Sequence, residues 1–412
     1  MNTSRYLAVC VVASTLAWRC GAEPVRVAAD TASIDLSTAI RLALDRPAAR
    51  AAMHEAAAAS ALVGQADRLP NPELSYLQEG RQAGTRTTTV QINQPIELGG
   101  KRPARVALAR GAAGLAHDDW LARRQAIRAD VMAAYHDVLV AGHRLALAQA
   151  SAGLAQRTVD VAGKRVAAGK ISPIDETRAR LAAVDAAAAL TQATAALAIA
   201  RTRLGALIGR PPDAIALVDD SDRLPAAAPL AALLDRADTA PAVRRAQGQR
   251  VVRHAQVDVE RAARVPDVTV SVGTQRDDEA GRRQAVIGLS MPLPLFNRND
   301  DALRAALRRT DQADDELAAA RADAAAALTV AHTRYETASN DVVLLRRDVV
   351  PGARTAYEQT LTGFEYGKFS FLDVEAAQRA WLQAQGRLLD SLEGAWRAWA
   401  DIERLAGTAD QP

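Results

Sequence analysis

The chain holds almost no cysteine: Cys10 and Cys20 are the only two in 412 residues. Aromatic residues make up 4%, although 49% of the chain is apolar, because alanine carries most of that share. So few bulky side chains argue against a thick globular core. They favour closely packed helices, as in bundles and coiled coils. The net charge of +3 is small for this length. No basic patch interleaved with stacking aromatics marks a nucleic-acid surface. There is no glycine-rich phosphate loop and no HExxH, so neither catalysis nor a cofactor is expected. His54, His117, His136, His143, His254 and His332 are scattered without metal-ligand spacing and are expected on helix surfaces. Beyond the N-terminus no apolar stretch of about 18 residues is evident, and no transmembrane helix is expected.

The N-terminus has the plan of an export leader. Arg5 precedes an apolar run from Leu7 to Ala17, and Cys20-Gly21-Ala22 offers small residues for cleavage after Ala22. A leader over residues 1–22 removes both cysteines, leaving a mature chain without thiol chemistry. The alternative is Cys20 as a lipidated first residue, which Arg19 fits badly.

What the chain has in quantity is repetition. Arg68-Leu69-Pro70 returns as Arg264-Val265-Pro266, 196 residues on, and Gln94-Pro95-Ile96 as Met291-Pro292-Leu293, 197 on. Gly-Lys-x-Ser-x-x-Asp occurs at Gly169 and again at Gly367, 198 apart, and Leu207-Ile208-Gly209 matches Leu405-Ala406-Gly407. So steady an offset indicates duplication of one unit: helix, two strands, long helix, turn, helix. The first copy spans 23–209 and the second 230–407. A Pro- and Asp-rich connector, RPPDAIALVDDSDRLPAAAP over 210–229, joins them, and 408–412 form a tail.

Period-two alternation places strands near 72–79, 85–95, 267–275 and 283–293. Leu74, Tyr76, Val90, Ile92, Val270, Val272, Ile287 and Leu289 fall on one apolar face, against polar residues on the other. The polar loops GRQAG and DDEAG join them. A soluble hairpin packed on a core produces the same alternation. Two matched hairpins in an exported, otherwise helical chain point instead to lipid. Four strands cannot close a barrel, and an open edge in lipid is forbidden, so several chains must combine. Two chains supply eight strands and three supply twelve.

Helical pattern runs from about Lys101 to Ala167, and again from about Asp300 to Tyr366, where Pro351 predicts a kink or break. Returning helices carry matched heptad stripes, Ala186-Leu190-Ala193-Leu197-Ala200-Leu204-Leu207 and Ala384-Leu388-Ser391-Ala395-Ala398-Ile402-Leu405, which predict antiparallel helix pairs. At the two tips, near 168–173 and 366–371, Gly169 and Gly367 fit left-handed helix ends, and Ser172 and Ser370 fit N-caps. Asp175 and Asp373 then sit where a shortened capping box places its acid. Lys101, Arg102, Arg298 and Asn299 mark the change from strand to helix, as lipid-interface anchors or as solvated helix starts.

RLPNPELS, INQPIELGGKR, MPLPLFNRN and VVPGARTAYEQTLTGFEYGKFSFLDVEAAQ, set in this duplicated plan, resemble the TolC family of outer-membrane channels, in its CzcC-like heavy-metal branch. The resemblance spans nearly the whole mature chain. It implies a mainly α fold with a small β part, four strands per chain contributing to a trimeric twelve-stranded outer-membrane β-barrel. A periplasmic α-helical barrel continues it. It further implies a homotrimer in the outer membrane of a Gram-negative bacterium, with outer-membrane lipid around it. The partners implied are a periplasmic adaptor (membrane fusion) protein and an inner-membrane pump, of the proton-driven RND type.

On this resemblance Gly169, Lys170, Ile171, Ser172, Gly367, Lys368, Phe369 and Ser370 correspond to the adaptor-facing tips. Asp373 corresponds to an acidic gate position, with Asp175 as its first-copy equivalent and Glu176 and Glu375 beside them. Where some such gates carry arginine and a second acid, this chain has Phe369 and Ala376. The function implied is a passive exit duct for heavy-metal cations. The alternatives are the same duct serving drug efflux or type I protein secretion, and a soluble periplasmic coiled-coil scaffold.

Overall fold

The computed structural model describes residues 33–80 and 85–406. The expected leader, loop residues 81–84 and the tail lie outside the described residues. The elements in chain order are helices α1 (Leu36–Leu44) and α2 (Pro47–Ala66), strands β1 (Glu73–Glu79) and β2 (Thr87–Ile96), and helices α3 (Lys101–Ala167) and α4 (Pro173–Ile208). After the connector come α5 (Leu230–Leu234), α6 (Pro241–Ala263), β3 (Val268–Asp277), β4 (Arg282–Ser290), α7 (Asp300–Leu344), α8 (Val350–Glu365) and α9 (Phe371–Ala406).

The strands form one antiparallel sheet in the order β1-β2-β3-β4. The helices that enter and leave it keep the same lateral order, α2 against α3, α3 against α6, and α6 against α7. Both edges of the sheet, β1 and β4, are therefore free in the single chain.

Alanine and unbranched side chains carry α3 without interruption through 67 residues, about 100 Å at 1.5 Å per residue. Its counterpart is divided. A π-helical turn over Leu345–Val349 separates α7 from α8 and ends two residues before Pro351. Proline has no amide hydrogen, and its ring collides with the carbonyl four residues back. One widened turn removes that collision while the helix continues. The break expected at Pro351 thus takes the form of a bulge on its N-terminal side.

The returning helices α4 and α9 pack on α3 and on α7 and α8 respectively. Along the heptad stripes Ala200, Leu204, Ala384, Ala395, Ala398 and Ile402 are buried. Two apolar clusters lie midway along the helices. One joins Val131, Tyr135 and Leu204 to α1, and the other joins Leu328, Tyr335, Ala395 and Ile402. The connector wraps this level. The Tyr135 hydroxyl donates to the Val218 carbonyl at 2.6 Å, and the Tyr335 hydroxyl donates to the Pro225 carbonyl.

Two expectations need correction. Helices α3 and α4 are each long and apolar enough, by length and composition, to cross a membrane. Alanine raises the average of a whole window although isolated polar residues interrupt every run, so a search for unbroken apolar stretches misses them. The histidines, expected on helix surfaces, include two that are buried, His136 and His332. His332 reaches the Ala228 carbonyl at 3.1 Å, and His136 packs between Tyr135 and Trp396.

Candidate functional site

The sheet is the first functional surface. Antiparallel pairing sets Leu74 opposite Ile92, Ile92 opposite Val272, and Val272 opposite Ile287, a row across all four strands. Tyr76 faces Val90 in the next row, and Val270 faces Leu289 in the row on the other side. Successive residues of a strand point to opposite faces, so all eight side chains share one face. Ile287 is 80% exposed and Leu289 75%, on a face that no helix among the described residues covers. On the other face Ser75, Gln91 and Gly273 align, and Gln284 donates to Gln275 at 3.2 Å. Gly273 sits there because a Cβ would come within 2.3 Å of the Val90 carbonyl oxygen.

The junction of sheet and helices is clamped between the two halves. After β2 the chain turns through Gly99 and Gly100, both left-handed, and enters α3 at Lys101. The Lys101 ammonium lies 2.7 Å from an Asp267 carboxylate oxygen, which also accepts from the Leu98 amide at 3.1 Å. Arg102 pairs with Asp67 at 3.0 Å, so Lys101 and Arg102, two of the residues expected as lipid-interface anchors or solvated helix starts, hold carboxylates of this chain. In the second half Asn299 takes the left-handed position and donates through its amide to Glu260. The Arg298 guanidinium donates to the Pro294 carbonyl at 3.4 Å.

The tips lie side by side at the far ends of the helices. Gly169 has φ +66° and Gly367 φ +74°, and the following amides, of Lys170 and Lys368, donate back to Arg165 and Gly363 carbonyls at 2.8 Å. This is the closing pattern of a helix that ends in a left-handed residue. The Arg165 guanidinium stands 4.0 Å over the Phe364 ring, and Ile171 packs with Phe364 and Phe371. Phe369 lies over Gly363, where a Cβ would meet its ring. Lys170 and Lys368 are exposed.

The four acids near the tips each have a local partner. Asp373 accepts from the Ser370 amide at 2.8 Å and from its hydroxyl at 2.7 Å, while Ser370 Oγ accepts from the Asp373 amide at 3.3 Å. This reciprocal box holds the Asp373 carboxyl below its ordinary pKa, chiefly through the Ser370 hydroxyl. In the first copy Ser172 caps the Ile174 amide instead, and Asp175 lies 3.6 Å from Arg178. Glu176 pairs with Arg180 at 2.5 Å and Glu375 with Arg379 at 2.6 Å, each four residues ahead on the same helix.

Residues that sequence reasoning did not single out include Asp267, which ties the halves together, and the stacked His136 and Trp396. Each depends on pairing between residues more than 150 positions apart, for which the sequence carries no local signal. Among the described residues no group of three or more His, Cys, Asp or Glu gathers as metal ligands do.

A sheet with one apolar and one polar face and free edges, continued by helices of about 100 Å with paired tips, is the plan of a channel that passes from a membrane into the compartment beneath it. The chain belongs to the outer membrane efflux protein family, which it matches over residues 40–210 and 235–408. It is 40% identical to the cobalt-zinc-cadmium resistance protein CzcC of Cupriavidus metallidurans over 344 residues, covering 83% of this chain and 82% of that protein. It is 30% identical to the nickel-cobalt-cadmium resistance protein NccC of Alcaligenes xylosoxydans xylosoxydans, over 66% of this chain and 63% of that one. The solved outer-membrane channel OprN superposes with a TM-score of 0.78 at 22% identity, covering 92% and 91% of the two chains. The protein is thus an outer-membrane efflux channel component with a periplasmic extension.

Proposed function

We infer that the chain forms a homotrimeric, passive exit duct for divalent heavy-metal cations. A periplasmic adaptor and a proton-driven inner-membrane pump of the RND type deliver them. The observation that carries the reading is the sheet: eight apolar side chains on one face and two free edges. Three copies supply twelve strands, close the edges and turn the apolar face to lipid, with the polar face lining the pore. The metal cargo follows from likeness to CzcC and NccC, whose names assign them to metal resistance.

In this reading the tips, Gly169 to Ser172 and Gly367 to Ser370, meet the adaptor. Threefold symmetry makes each of Asp175, Glu176, Asp373 and Glu375 a ring of three carboxylates, which favours cations in a narrow pore. Arginine pairs already compensate Asp175, Glu176 and Glu375. Among the described residues no arginine pairs with Asp373, whose carboxyl is held by Ser370 alone, so it carries the gate charge.

The test is complementation of a strain lacking this chain but retaining its pump and adaptor. The unsubstituted chain restores growth on cobalt, zinc or cadmium, and Asp373→Asn restores less at equal outer-membrane abundance. Equal restoration removes Asp373 from the gate. Failure of the unsubstituted chain on all three metals, with drug tolerance restored, transfers the duct to drugs.

A further inference from the structure

We propose that Phe296 of one protomer enters the cavity beside Leu69 of the next copy, so that the loop after β4 is the wedge that locks neighbouring chains at the membrane surface. The inference rests on the trimeric reading above. It starts from the seam inside the chain, where β2 meets β3. There the segment leaving β2 lies against the segment entering β3, and Gly99 packs so closely on the end of α6 that a Cβ would come within 2.5 Å of Val265 Cβ and 3.1 Å of the Ala262 carbonyl oxygen.

The repeat carries this meeting of segments to the free edges. At the 196-residue offset Ala262 and Val265 correspond to Ala66 and Leu69, just before β1. On the other side the left-handed N-caps Gly100 and Asn299 stand 199 apart, so the loop after β4 is longer than the loop after β2, and it carries Phe296 where the first copy has only the tight Gly99-Gly100 turn. When β4 of one copy pairs antiparallel with β1 of the next, the segment leaving β4 meets the segment entering β1, as it does inside the chain.

Leu62, Ala66 and Leu69 form the apolar side of an open cavity of about 750 Å³, larger than one ring fills, whose other side carries Arg68, Asn71 and Arg105. Leu69 is 66% exposed and Leu62 62% in the single chain. Phe296 is fully exposed at 102%, and Leu293 and Leu295 beside it are exposed at 67% and 66%. The seam inside the chain has a glycine and no room. The seam between chains has an aromatic ring and an empty cavity. An exposed apolar cluster beside polar residues marks a contact surface, and a ring seated in a pocket is the usual anchor of one.

The test is disulfide trapping in isolated outer membranes, with Phe296→Cys combined either with Leu69→Cys or, to guard against loss of fold at that site, with Leu62→Cys. Single-cysteine chains serve as controls for any contribution from Cys10 and Cys20. Light scattering in detergent reads the mass of the unsubstituted chain and of each variant independently. The expected result is a trimer mass throughout, with most of at least one double variant running as disulfide-linked oligomers that reduction returns to monomer. A trimer mass with neither pair linked overturns the wedge and leaves the trimer standing. A monomer mass for the unsubstituted chain overturns both.

Discussion

His136 lies flat against Trp396, ring centroids 3.4 Å apart and planes within 9°, and so joins the long helix of one half to the last helix of the other. Among the described residues neither ring nitrogen of His136 has a hydrogen-bond partner, and burial pushes its pKa down to about 3, with Asp219 pulling weakly the other way. The imidazole is therefore neutral in the fold, and the unfolded chain binds the proton more readily. Its contribution is full above the unfolded pKa of about 6.5 and is lost progressively as pH falls from there toward 3.

Between pH 7 and pH 5 the loss is about 2 kcal/mol per chain. Thermal unfolding of His136→Phe, which keeps a stacking ring without a titrating group, should show a smaller drop over that interval than the unsubstituted chain. Equal drops would assign the acid sensitivity elsewhere.

The apolar row across the sheet makes a second prediction. Ile287→Arg or Val90→Arg places a cation among apolar side chains and should cost about 2–4 kcal/mol at mid-bilayer depth. Gln284→Arg, on the opposite face, should cost far less. Heat dissociation of assembled protein on gels compares them. Full assembly of both apolar-face variants would contradict the orientation of the sheet.

Substituting the tip glycines separates geometry from assembly. Among the described residues, no heavy atom beyond the adjoining ones lies within 4 Å of a Cβ added at Gly169 or Gly367, so the cost of Gly169→Val or Gly367→Val is that of a left-handed φ alone, roughly 1–2 kcal/mol each. Assembly should survive, while metal tolerance falls through the altered adaptor contact. Unchanged tolerance in the double variant would count against the tips as the docking surface.

Asp267 supports a smaller prediction. Asp267→Ala leaves the Lys101 ammonium and the Leu98 amide without their partner. Because the pair is partly exposed, the loss should be about 1 kcal/mol. Chemical unfolding measures it, and a value near zero would show that water replaces the carboxylate.

Much of this plan is readable in the sequence because its signals are local. Alternation at period two marks Thr87–Ile96 and Arg282–Ser290, and glycine marks the two tips, where φ is positive. Heptad spacing marks Ala384, Ala395, Ala398 and Ile402 of α9, which are buried, and on α4 a stripe buried only at Ala200 and Leu204 and half-buried elsewhere. What escapes is long-range. Pairing of β2 with β3, the Lys101–Asp267 clamp and the His136–Trp396 stack join residues far apart in the chain, and no periodicity announces them. The bulge before Pro351 is intermediate: proline announces a disturbance, and only packing decides that it becomes a π turn rather than a bend.

The account stands on three chains completing one barrel in lipid, and the mass of the intact assembly tests this most directly. Native mass spectrometry of protein extracted from the outer-membrane fraction should give three times the chain mass, and extraction should require detergent. A single chain released into buffer without detergent would contradict it.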